Sequence, residues 1–162
     1  MNRKQRSKKV KVPARISHLK KPEGLSLEEW QVILRRQIAL ETRLRIKNVG
    51  THPVFSTFQI TNPKTTRTYR VVIAGEVPGI NYCSCPDFAV NTLGTCKHVE
   101  AVLHKLRRKK SHRQTLKEGF QPEYSAVTLR YGLKRRAVFL LGAKAGVQLR
   151  SLVSEFFDED FF

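Results

Sequence analysis

The sequence predicts an α+β fold: an N-terminal helix, a small antiparallel sheet with a strand-strand-helix unit, then a second strand pair and a C-terminal helix. Three observations predict it. Ser26 and Glu29 make a capping-box pair at the head of an apolar series, Leu27, Trp30, Ile33, Leu34, Ile38 and Leu40. Residues 54–61 and 66–74 are strand-like, the second rich in β-branched side chains, and flank the turn residues Asn62, Pro63, Lys64 and Thr65. Residues 96–108 place Val99, Val102, Leu103 and Leu106 on one face of a helix.

Taken in order, the first helix is expected over residues 27–45, and the hairpin over 54–74. A loop with Gly75, Pro78 and Gly79 leads into a short third strand at 80–84, and Gly94 precedes the helix at 96–108. Residues 125–131 and 136–141 read as the second strand pair and 144–157 as the last helix. There is no internal repeat and no Gly/Ser-rich linker.

The chain has 162 residues with 31 Lys+Arg against 13 Asp+Glu, a formal net charge of +18. At 40% hydrophobic and 9% aromatic it is too apolar for a wholly disordered chain, and its length suits one domain or two small ones. No apolar run approaches the roughly 20 residues of a membrane helix. The opening residues have no apolar h-region, so neither a membrane span nor an ordinary secretory signal is expected. The expected location is a reducing, intracellular one, the cytoplasm.

Charge divides the chain. Residues 1–21 hold nine Lys or Arg and no acid, which predicts a basic arm over 1–22 that is disordered in isolation. A unit over 23–112 follows, and then a small α+β segment over 113–162, read as the possible start of a truncated following domain. A second basic cluster lies at Lys105, Arg107, Arg108, Lys109 and Lys110.

The chemistry is concentrated within residues 83–98. Cys83 and Cys85, then ten residues, then Cys96 and His98 form the pattern Cys-x-Cys, Cys-x-His. This set supplies three thiolates and one imidazole, the ligands of a closed tetrahedral structural zinc site. Two cysteines two apart on an extended segment leave the same face. Cys96 and His98 fall at the start of a helix, where free amides and the positive dipole end favour thiolates. Three thiolates, a neutral imidazole and Zn²⁺ sum to −1, which Lys97 can offset. Soft sulfur ligands disfavour Mg²⁺ and Ca²⁺.

Two other readings compete. Cysteines are commonly buried as small hydrophobes, and close thiols can exchange with disulfides. Cys-x-Cys, however, is not the Cys-x-x-Cys redox pattern, and both readings leave the histidine unexplained. An odd number of clustered cysteines also makes a disulfide scaffold a poor account. His18, His52, His104 and His112 read as solvated or packed side chains.

At Cys83, Cys85, Cys96 and His98, with Pro86, Asp87 and Phe88 after the second cysteine and an apolar helix after the histidine, the sequence resembles the SWIM zinc finger. The resemblance implies a strand-strand-helix arrangement spanning about 69–109. More widely, the helix at 27–45, the hairpin, this motif and the ending from Leu149 to Asp160 are similar to the N-terminal region of bacterial Swi/Snf-type helicase-like ATPases. In those proteins an ATPase motor follows. No phosphate loop is present here, since the stretch from Gly142 to Gly146 is too short and lacks the Gly-Lys-Ser/Thr ending. The terminal Phe161 and Phe162 suit either a truncated chain or a final packed helix.

These features predict a non-catalytic role. Glu23, Glu28, Glu29 and Glu41 read as caps and helix surface, and no Ser/His/Asp constellation occurs. The expected function is a zinc-stapled module that binds nucleic acid, DNA first, through Lys105, Arg107, Arg108, Lys109 and Lys110 and through Lys8 and Lys9 of the arm. It would be accessory to a Swi/Snf-type motor. The alternative is a protein-interaction adaptor that presents the helix at 27–45 with Trp30. Salt separates the two, because phosphate binding collapses at high ionic strength and apolar docking persists. A targeting role for the arm fits its Lys-rich composition poorly.

Overall fold

A computed structural model describes residues 15–157. The arm lysines Lys8 and Lys9, and Phe161 and Phe162 at the other end, lie outside the described residues. The fold is α+β, with five helices, a four-stranded antiparallel sheet and a two-stranded sheet among the described residues.

Helix α1 (Leu27–Glu41) opens on the expected capping box: Ser26 Oγ accepts the Glu29 N–H at 3.1 Å and the Ser26 N–H donates to Glu29 Oε2 at 2.8 Å. It ends four residues earlier than expected. Thr42 caps it in an extended conformation, its N–H and hydroxyl both donating to the Ile38 carbonyl. From there Leu44 and Ile46 pack on the core while Arg43, Arg45 and Lys47 face water, so period 2 replaces 3.6 and strand β1 (Arg45–Asn48) begins. Residues 15–25 are held along α1, where Gln37 Oε1 accepts the Ile16 N–H at 2.9 Å and the Trp30 indole N–H donates to the Ser17 carbonyl at 3.0 Å.

The sheet is a meander in the order β1, β2 (Thr57–Thr61), β3 (Thr68–Val72) and β4 (Tyr82–Cys83). Each strand is shorter than its sequence signal. Residues 54–56 form a loop instead, in which His52 Nδ1 accepts the N–H groups of Val54 and Phe55. The hairpin turn lies where expected, with Asn62 Oδ1 accepting the Lys64 N–H at 3.0 Å. One sheet face packs on helix α3 (Lys97–Arg107), and α1 covers α3 from the far side. The core lies between sheet and α3, built from Phe58, Ile60, Val71 and Ile73 against Val99, Val102, Leu103 and Leu106.

Two helices form where the sequence reading expects none. Helix α2 (Pro86–Val90) is five residues long, and α4 (Lys110–Glu118) buries only Leu116. The second strand pair, β5 (Ala126–Arg130) and β6 (Arg136–Leu140), forms as expected, and α5 (Val147–Ser154) is the core of the anticipated last helix.

The β5–β6 hairpin is tied to the first unit through two glycines. The Tyr131 N–H donates to the Gly79 carbonyl at 2.7 Å, and the Gly79 N–H to the Gly94 carbonyl at 2.9 Å. Gly94 has φ +65°, and a Cβ there would sit 2.6 Å from both Gly79 N and the Tyr131 carbonyl oxygen. Both neighbours are backbone and cannot rotate away. Gly94→Ala is therefore expected to cost about 2 kcal/mol and to loosen the hairpin, read as a lower Tm and faster amide exchange over residues 126–140.

Candidate metal centre

The sequence around the four candidate ligands dictates how they converge. Cys83 lies on β4 opposite Val71, with its side chain toward the core. The ladder continues one residue further, as the Ser84 N–H bonds the Arg70 carbonyl and Ser84 Oγ accepts the Arg70 N–H. Cys85 leaves in an extended conformation on the same side as Cys83 and caps α2, whose first residue is Pro86. Cys85 Sγ accepts the Phe88 N–H at 3.4 Å. After ten intervening residues Cys96 caps α3 in an extended conformation, which puts His98 in the first turn.

The loop between the two pairs is held by its own polar groups. Asn91 Nδ2 donates to the carbonyls of Asp87 and Thr95, and Asn91 Oδ1 accepts the Leu93 N–H. On the other side of β4, Asn81 is wholly buried and secures the preceding loop: Oδ1 accepts the Ala74 and Gly75 N–H groups, and Nδ2 donates to the Gly75 and Val77 carbonyls. Among the described residues no buried side-chain nitrogen or oxygen lacks a partner.

The ligand atoms of Cys83, Cys85, Cys96 and His98 all lie within 4.8 Å of one another, and His98 Nδ1 is 3.9 Å from Cys83 Sγ. Zn–S bonds of about 2.3 Å in a tetrahedron place sulfurs about 3.8 Å apart, so the cluster needs only a small contraction to close on an ion. The four residues are 1, 2, 0 and 4% exposed, so the cluster is almost wholly enclosed by protein. The arrangement suits a structural ion. The Tyr69 ring lies over the His98 ring, with centroids 4.8 Å apart.

The protonation of the thiols fits a cation as well. Hydrogen bonds from Cys83 and Cys96 hold the Cys85 thiol well below its ordinary range. Cys83 is pushed up by its hydrogen bonds to Cys85 and Cys96 and by burial. Cys96 is lowered by its hydrogen bond with Cys83, but that with Cys85 and burial outweigh this and push it up to about 12. Proximity and burial thus set the ionisation of the three thiols against one another. A divalent cation reverses this by stabilising every thiolate, and the donor set matches zinc.

Two adjacent arginines of α1 brace the two halves of the cluster. Arg35 grips Asp87, two residues beyond Cys85, through Nε to Oδ2 at 3.1 Å and Nη2 to Oδ1 at 2.6 Å. Arg36 Nε donates to Glu100 Oε2 at 2.8 Å, four residues beyond Cys96. The other oxygen of Glu100 accepts the Thr95 hydroxyl at 2.8 Å, so this buried carboxylate ties α1 to the residue just before Cys96. Sequence reading missed Arg35, Arg36, Asn81 and Glu100. The pairs join residues 52 and 64 positions apart, and only the Asx-type context of Asn81 carries a local signal.

The basic residues singled out from the sequence are distributed unevenly. Lys105 Nζ donates to the Ile46 carbonyl at 2.8 Å, securing the outer edge of β1, and Arg107 pairs with Glu76 at 2.8 Å. Arg108, Lys109 and Lys110 lie together and exposed where α3 passes into α4. His104 is exposed, and His18 and His52 bond to neighbouring groups, so none of these joins the cluster.

The model of the SWIM zinc finger family matches residues 69–107, which runs from β3 to the last residue of α3. Comparison with curated proteins and with solved structures yields no match. Helix α1, β1 and β2 lie outside the matched span, although α1 supplies both bracing arginines. The matched span, with Cys83, Cys85, Cys96 and His98 converging from β4, the head of α2 and the head of α3, is a SWIM zinc-binding module.

Proposed function

We propose that this chain binds nucleic acid non-catalytically through a cationic surface that the zinc-binding module holds in shape. One observation carries the reading. All three acids within the matched span are engaged by arginines of the same chain: Glu76 by Arg107, Asp87 by Arg35 and Glu100 by Arg36. The folded module therefore presents its remaining cations unneutralised. Arg108, Lys109 and Lys110 make no ion pair among the described residues and form a compact exposed ridge. Lys105 and Arg107 flank that ridge, and Lys8 and Lys9 belong to the same proposal on charge alone.

In this reading zinc is a staple rather than a reagent, and the chain acts in the reducing cytoplasm as an accessory to a Swi/Snf-type ATPase motor, in the same polypeptide or in a partner. What supports the motor is the resemblance of the α1, hairpin and Cys/His succession to the region that precedes such motors. The test is anisotropy of labelled DNA and RNA with zinc-loaded protein across a salt series. Arg108→Ala with Lys109→Ala and Lys110→Ala is expected to remove about three phosphate contacts, flattening the slope of log K against log salt by about 2.7 on duplex DNA. Binding unaffected by salt would contradict the proposal.

A further inference from the structure

Among the described residues the four-stranded sheet has one face against α3; its other face is met at the β4 end, where the Tyr82 ring touches Phe88 of α2 and Tyr131. That other face has a marked composition. Residues 42–75 contain Arg43, Arg45, Lys47, Lys64, Arg67 and Arg70 and not one Asp or Glu. Register places Lys47 opposite Gln59 and Gln59 opposite Arg70, a row across three strands whose side chains are all exposed. Beyond β3 the row meets Ser84, and the aromatic rings stand in the neighbouring row, diagonal to Arg70. Tyr82 pairs with Val72 on this face, its ring 6.0 Å from that of Tyr131.

Each ring carries a guanidinium. Arg70 lies over Tyr82 at 5.8 Å and Arg135 over Tyr131 at 6.0 Å. These distances are at the outer limit of a cation–π contact, so a better stacking partner can displace the cation at little cost. Arg135 also donates to the Ala89 carbonyl at 2.6 Å, which keeps the β5–β6 turn beside the rings. Two strand spacings of about 4.8 Å make the row about 10 Å long from Lys47 to Arg70.

We infer that this face is a binding track for single-stranded nucleic acid, with Lys47, Arg70 and Arg135 on phosphates and Tyr82 and Tyr131 stacking on bases. The inference rests on the nucleic-acid reading above and names its substrate class and its surface. Charge selects a polyanion. The rings select one whose bases are unpaired, because a duplex hides base faces within its own stack and offers a flat sheet only phosphates and edges.

The test is anisotropy of the zinc-loaded full chain with a labelled oligothymidine and with a labelled duplex of equal length. The parent is expected to prefer the single strand. Lys47→Ala with Arg70→Ala is expected to flatten its salt slope by about 1.4. Tyr131→Leu, which keeps apolar contact with Phe88, is expected to weaken binding about ten-fold without altering the slope. Unchanged zinc content and circular dichroism establish that these variants are folded. A preference for duplex, or binding lost on replacing Arg108, Lys109 and Lys110 but intact in the sheet variants, overturns the track and leaves the broader reading standing. No salt-sensitive binding of the parent to either probe overturns both.

Discussion

Removal of the metal is expected to lower the stability of this chain by at least about 5 kcal/mol, a fall in Tm of about 20 °C. Zinc binding in comparable small sites is worth about 10–16 kcal/mol, similar to the entire stability of a domain. The reason is local. Without a cation Cys83, Cys85 and Cys96 remain as three crowded, buried sulfurs, and residues 86–95 are left to a five-residue helix, the hydrogen bonds of Asn91 and side-chain contacts at Asp87, Ala89 and Thr95. Cys96→Ser should reproduce the effect of chelation, with a single zinc per chain in the parent and none in the variant by elemental analysis. Amide protection in α3 that survives chelation would show that apolar packing alone holds the module.

The second large effect is expected at a residue outside the matched span. The Glu100 side chain is 2% exposed, whereas that of Arg36 is 47% exposed. Replacing Arg36 by Ala strands a buried carboxylate, which costs about 3–5 kcal/mol. Glu100→Gln keeps an acceptor for the Thr95 hydroxyl and leaves an arginine that water can reach, so about 1 kcal/mol is expected. The order of the two costs is the prediction. Thermal denaturation of both variants checks it, and a larger loss in Glu100→Gln would contradict it. Arg35→Ala provides the contrast, because Asp87 is 41% exposed and the pair is screened, so a loss below about 1 kcal/mol is expected.

The metal site was the most legible part of the sequence because its chemistry is local. Cys-x-Cys needs only an extended segment, and Cys-x-His only a helix start, to converge. The start of α1 was legible for the same reason, since a capping box closes within four residues. Its end was not: Leu44 and Ile46 extend the apolar series from Leu40 and also begin an alternation, and packing on the sheet decides between them. Helix α4 was hidden because one buried side chain, Leu116, sets no period within a run of charge. The bracing by Arg35 and Arg36 was out of reach, since contacts 52 and 64 residues apart depend on how α1 is laid over α3.

The two-glycine stitch determines where this protein yields under load. A pull on the β5–β6 hairpin enters the first unit through the Tyr131 to Gly79 and Gly79 to Gly94 hydrogen bonds, the Arg135 to Ala89 bond and the Tyr131 ring against Phe88. Gly94 lies in the ten residues that coordination closes into a ring between Cys85 and Cys96. With zinc bound, tension arriving there would be shared by metal–sulfur bonds far stronger than the noncovalent contacts that deliver it. The stitch is thus a mechanical fuse: the hairpin peels off first, and the knuckle behind it keeps its shape.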